Sequence, residues 1–111
     1  MASFLQNVDL ASGVITALYS SGSDVDTTAN IRIVNRNTTT VTVSVAIVAA
    51  PDESTAIANL GPAHYVEYEA PISANDILEN TGIVLPPSHV VIVKADSANV
   101  NAVVYGFTQL V

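Results

Sequence analysis

The sequence contains no cysteine and no tryptophan, and only 5% of its residues are aromatic. Without cysteine no disulfide framework exists, and redox compartment cannot be read from thiol usage. Cations are almost missing as well, with 3 Lys+Arg against 10 Asp+Glu in 111 residues and a net charge of −7. Three cations cannot build a nucleic-acid footprint, and the acidic excess repels phosphate, so no nucleic-acid partner is expected. Long apolar runs are absent too. Val45–Ala50 is far shorter than the ~20 residues a membrane-spanning helix needs, so no membrane partner is expected. No basic segment precedes an apolar stretch at the N-terminus, and no secretory leader is expected. Charged residues make up only 12% of the chain, about half the usual ~25%. Much of the surface must be wetted by the 10 Ser, 10 Thr, 9 Asn and 2 Gln instead. Interface cores are depleted of charge, so the deficit points to a surface partly covered by other chains.

The chain does have branched residues, with 17 Val, 9 Ile and 10 Thr. Their Cβ substituents suit a pleated strand and restrict χ1 in a helix. Thr40–Val48 alternates with period two. Val41, Val43, Val45 and Ile47 point one way; Thr40, Thr42, Ser44 and Ala46 point the other, which predicts a strand with one buried face. Further strands are predicted over Val14–Ser20, Ala29–Asn35, His64–Ala70, Ile77–Leu85, His89–Ala95 and Val100–Gln109. Thr81-Gly82 suggests a bulge within its strand, and the continuous apolar run of His89–Ala95 suggests a central one. Ser20–Asp24, Asn35–Thr38, Pro86–Ser88 and Asp96–Asn99 carry turn chemistry, and Asn35–Thr38 reads as a hairpin turn. Ser54–Leu60 reads as a helical turn in a loop. Seven or eight short strands so spaced argue one all-β domain over residues 1–111, an antiparallel β-sandwich of jelly-roll-like form. Such a length buries about two-thirds of its extended surface, enough for a core without staples.

Both ends are apolar. Phe4, Leu5, Val8 and Leu10 make residues 1–12 an apolar arm or edge strand, and Leu110-Val111 closes the chain. Such ends dock either on their own sheet or on a neighbour. These six residues are the candidate interface.

Chemistry finds little support. His64 and His89 lie in no Ser or Asp motif and read as structural residues at loop–strand junctions. Glu67 and Glu69, two apart on a strand, share one face at about 7 Å, a glycosidase-like spacing. Their simpler reading is a solvated face, and sugar binding would want more surface aromatics than Tyr19, Tyr65, Tyr68 and Tyr105. Asp24 and Asp26 offer oxygens to a hard cation, but calcium needs six to eight and no EF-type pattern follows. Asp52-Glu53 reads as a loop tip, and the sequon Asn37-Thr38-Thr39 as a turn. No catalytic residue, metal site or cofactor is expected.

The order of segments resembles a small β-domain of tailed-bacteriophage virion proteins. Leu18-Tyr19-Ser20 closes an early strand, and Ile33-Val34-Asn35-Arg36-Asn37 leads into Val41–Ile47. His64-Tyr65-Val66-Glu67-Tyr68-Glu69 and Pro71-Ile72-Ser73-Ala74-Asn75-Asp76 follow. Thr81-Gly82-Ile83-Val84-Leu85 and Tyr105-Gly106-Phe107 complete the pattern, which covers the chain from about Val14 onward. The resemblance implies a non-enzymatic virion structural protein on the outer capsid surface, made in the host cytoplasm. It implies a head decoration (cement) subunit or a tail or baseplate subunit, the domain standing nearly alone. A homotrimer contacting the major capsid protein is the expected assembly. A carbohydrate-binding sandwich is the remote alternative.

Overall fold

A computed structural model describes all 111 residues. Its strands are β1 (Ala2–Leu10), β2 (Thr16–Ser20), β3 (Val25–Asn35), β4 (Val41–Ala49), β5 (Tyr65–Ile72), β6 (Ile77–Leu85), β7 (His89–Ala95) and β8 (Val100–Leu110). Between β4 and β5 lie a short helix α1 (Glu53–Asn59) and a 3-10 turn (Pro62–His64). The strands form two four-stranded antiparallel sheets, β1-β8-β3-β6 and β2-β7-β4-β5. Among consecutive strands only β4 and β5 pair; every other connection crosses from one sheet to the other. That wiring is the eight-stranded jelly roll.

The core lies between the sheets. Ile31 and Ile33 of β3, Val41, Val43 and Val45 of β4, Val91 and Val93 of β7, and Val100 and Val104 of β8 are all within 1% of full burial. Each contributes about 1.5–3 kcal/mol by leaving water. β8 alternates with period two: Ala102, Val104 and Gly106 are buried, while Val103, Tyr105 and Phe107 face outward. The expected central position of the His89–Ala95 strand holds, since β7 runs between β2 and β4. Thr81-Gly82 is a bulge: the register against β3 shifts there, Gly82 takes φ +67°, and its amide donates to Asn30 Oδ1 at 3.0 Å.

Several expectations are corrected. Asn35–Thr38 is not a hairpin turn, because β3 and β4 belong to different sheets. It is an inter-sheet corner built around the fully buried Asn35. Asn35 Nδ2 donates to the carbonyls of Thr39 (2.9 Å), Ile72 (3.0 Å) and Ser73 (3.1 Å). Its Oδ1 accepts from the Asn37 amide at 2.9 Å and from Asn37 Nδ2 at 3.0 Å. One side chain thus ties the β3–β4 corner to the β5–β6 corner. The Val14–Ser20 strand begins only at Thr16, and a register shift between Ala17 and Tyr19 turns both Leu18 and Tyr19 inward. In β4 only the first half has one buried face. Ala46 and Val48 are buried on the other side, in a second small core with Val90, Ile92 and Ala56 of α1. The helix covers that end of the sheet. Asp52 caps it, its Oδ1 accepting from the Thr55 amide at 2.8 Å and the Ser54 hydroxyl at 3.1 Å.

Candidate functional site

The N-terminal arm settles on its own sheet. Residues Ala2–Leu10 pair with Val100–Thr108 along the whole of β1, which forms one edge of the first sheet. Phe4 stacks on Tyr19 with ring centroids 4.4 Å apart and planes at 16°. Val8 packs on the core, and Leu10 is buried within it. Strand pairing turns alternate residues of the arm inward, so Phe4 and Val8 are half-buried and Leu10 is buried against this chain's own sandwich. Leu5, Leu110 and Val111 stay exposed, at 63%, 73% and 74%.

The outer face of the first sheet gathers Leu5 with other exposed residues, while Leu110 falls on the inward row beyond the core's edge. Its register sets Ser3 beside Phe107, Phe107 beside Thr28, and Thr28 beside Val84. The next outward row runs Leu5, Tyr105, Asn30. Phe107 and Val84 are both more than half exposed. At the same end of the sheet, Leu110 lies across from Val25, and the Val111 amide donates to the Asp24 carbonyl at 3.0 Å. Charge on this face collects toward the opposite end. Arg32 meets Glu79 at 3.6 Å, and Arg36 meets Asp9 at 2.6 Å while also donating to Asn101 Oδ1 at 3.1 Å. The Phe107 end has two carboxylates nearby, Asp26 across from Gln109 and Asp24 beside Val111, and neither has an ion-pair partner. Phe107 and Val84 were missed in the sequence, because outward apolar residues in a strand become a patch only when register aligns them across strands.

The remaining candidate residues are dispersed. His64 Nδ1 accepts from the Gly61 amide at 2.9 Å and holds the 3-10 turn, while His89 Nδ1 lies 3.0 Å from the Pro87 carbonyl. Glu67 and Glu69 do not share a face. A bulge sets three steps of β5, from Ala70 to Glu67, against two of β4, from Val43 to Val45. Glu67 thus lies across from the core residue Val45, whereas Glu69 joins Ser44 and Thr42 on the outer side. The glycosidase-like pair is undone by one extra residue. Asp24 and Asp26 are exposed at the start of β3, and nowhere do three His, Asp or Glu residues gather as metal ligands would. Asn37 spends its side-chain amide on Asn35 and on the Ala98 carbonyl at 2.9 Å, so it is a corner residue.

No protein-family model and no curated protein matches the chain. Solved structures do. A chain from the capsid of Ralstonia phage GP4 superposes with a TM-score of 0.55 at 16% identity, over 98% of this chain and 83% of that one. A chain of the IBDV viral particle superposes with a TM-score of 0.52 at 9% identity, over 94% of this chain. The chain shares the jelly-roll fold with these chains. It spans 30% of the length of the IBDV chain. At such identities the likeness concerns the fold alone.

Proposed function

We propose that this chain is a structural subunit of a bacteriophage virion, a decoration (cement) protein on the outer surface of the head. The carrying observation is the jelly-roll strand order together with the exposed apolar residues Leu5, Phe107 and Val84 on the outer face of its first sheet. A cement subunit needs a rigid scaffold and contact surfaces, and no active site. Each contact can be weak, because many copies acting on one shell multiply their effect. On this reading Leu5, Phe107, Val84, Leu110 and Val111 meet the major capsid protein or neighbouring copies. Three copies around a three-fold position close a ring without leaving an open edge to grow.

The test adds the purified chain to phage heads stripped of it. Saturable binding and a higher rupture temperature of the heads are expected. The double variant Leu5→Ser/Phe107→Ser should melt like the parent and fail to bind. Light scattering should give the mass of three chains. Binding to isolated tails and not to heads would replace the cement reading with a tail or baseplate subunit; binding to neither would end both.

A further inference from the structure

The outer face of the second sheet holds two shallow hollows with a common wall, Tyr65 and Tyr68. One, of about 400 Å³, runs against Leu60, Gly61 and Pro62. The other, of about 130 Å³, runs against Glu69, Lys94 and Asp96, with Thr42 and Ser44 in its floor. Ligand clefts begin at about 300 Å³, so the first hollow alone admits a small ring.

The tyrosine pair is an outcome of backbone irregularity. Residues three apart on a regular strand point to opposite faces. Here two register shifts in β5, one between Ala70 and Glu67 and one between Glu67 and Tyr65, bring Tyr68 beside Tyr65, with ring centroids 4.8 Å apart at 71°. Glu69 takes φ +46° at the first of these shifts, and its amide donates to Ser44 Oγ at 3.0 Å. A non-glycine residue held in that region is strained, and such strain gathers at binding sites. The core gains little in return, since Tyr68 stays 64% exposed. Charge is placed unusually as well. The two arginines are engaged in ion pairs, while Lys94, the only other Lys or Arg, makes none and lines this hollow beside two carboxylates.

We propose that these hollows bind a neutral hexose unit of a glycan. A sugar ring has an apolar C–H face and a rim of hydroxyls. The face packs on Tyr68 and Tyr65. The rim finds donors in Lys94 and acceptors in Glu69 and Asp96, with the Thr42 and Ser44 hydroxyls able to do either. A purely apolar ligand would strand those polar groups without water. An acidic sugar or a phosphate would meet two carboxylates against one ammonium. The site lies on the sheet opposite the Phe107 face, so a subunit docked through that face turns it to solution. Binding by the isolated chain does not depend on the virion role.

Heteronuclear NMR of the intact chain with methyl glycosides of glucose, galactose, mannose and N-acetylglucosamine tests this directly, with glucuronic and sialic acid as acidic comparisons. Saturable shifts confined to the Tyr65–Glu69 segment and Lys94 are expected for at least one neutral glycoside, with millimolar affinity. Tyr68→Ala should weaken binding about tenfold, the loss of one aromatic stacking partner. Lys94→Gln, an exposed change outside the core, should weaken it too, while Phe107→Ser should leave it unchanged. The proposal is overturned if no neutral glycoside shifts these resonances, if only the acidic sugars do, or if folded Tyr68→Ala and Lys94→Gln bind like the parent.

Discussion

Replacing Asn35 should damage this fold more than any other single polar change. The side chain is fully buried and makes five hydrogen-bond contacts, three to carbonyls and two from Asn37. Asn35→Ala leaves the Thr39, Ile72 and Ser73 carbonyls short of a donor. Stranding buried polar groups costs about 1–3 kcal/mol each, reduced where water reaches the half-buried ones, so a loss of about 3 kcal/mol is expected. For a domain of this size the melting temperature should fall by at least about 10 °C. Asn35→Asp keeps the shape and replaces the donor with a charge aimed at carbonyls. At neutral pH the expected loss is larger, about 3–5 kcal/mol, as for a buried charge without a partner. Burial and the facing carbonyls raise the folded pKa of the new carboxyl above the ordinary ~3.9. Its penalty is therefore small below the unfolded pKa and grows as pH rises through the folded one. Urea denaturation of both variants and the parent at pH 7 and pH 3 measures these differences. An Asn35→Ala loss below about 1 kcal/mol, or an Asn35→Asp penalty unchanged between the two pH values, would refute the role given to this corner.

Other consequences are quickly checked. A Cβ on Gly106 would sit 1.9 Å from the Thr28 carbonyl oxygen, so Gly106→Ala must push β8 off β3 and cost about 3 kcal/mol or more in chemical denaturation. For Asp96, desolvation pushes the carboxyl up. The Thr42 amide at 3.0 Å and the Ser97 hydroxyl outweigh it and hold the pKa below its ordinary value. That stability is present above the unfolded pKa and lost as pH falls through the folded one, so Asp96→Asn should lose less stability than the parent between pH ~4 and ~2; equal slopes would count against it. Asn80 Nδ2 is buried without a partner on a strand, and Asn80→Val should raise stability by about 1 kcal/mol, read as a higher urea midpoint.

Much of the architecture was legible in the chain because period-two patterning reports which side of a strand is buried. It served for β8, for the first half of β4 and for the bulge at Gly82. Patterning does not report a strand's partner. The corner at Asn35 has the composition of a hairpin turn, and only the packing of distant strands decides that β3 and β4 belong to different sheets. Asn is also a common turn residue, so nothing in its neighbours marks Asn35 as a buried hub. The arm illustrates the same limit. Phe4, Val8 and Leu10 are visibly apolar, but their place in the core depends on pairing with β8 about a hundred residues away. The tyrosine hollow was hidden for another reason: two register shifts in β5 bring Tyr65 and Tyr68 to one face, and bulges leave little trace in a polar edge strand.

The central claim is that this jelly roll is a building block of a virus head. Virus particles purified from the source of the chain, examined by mass spectrometry and cryo-electron microscopy, test it most directly. The chain should be present in many copies per particle, on the outside of the head, with Leu5, Phe107 and Val84 against neighbouring subunits and Tyr68 facing solution. Particles without the chain, or copies seated with the Phe107 face bare, would contradict it.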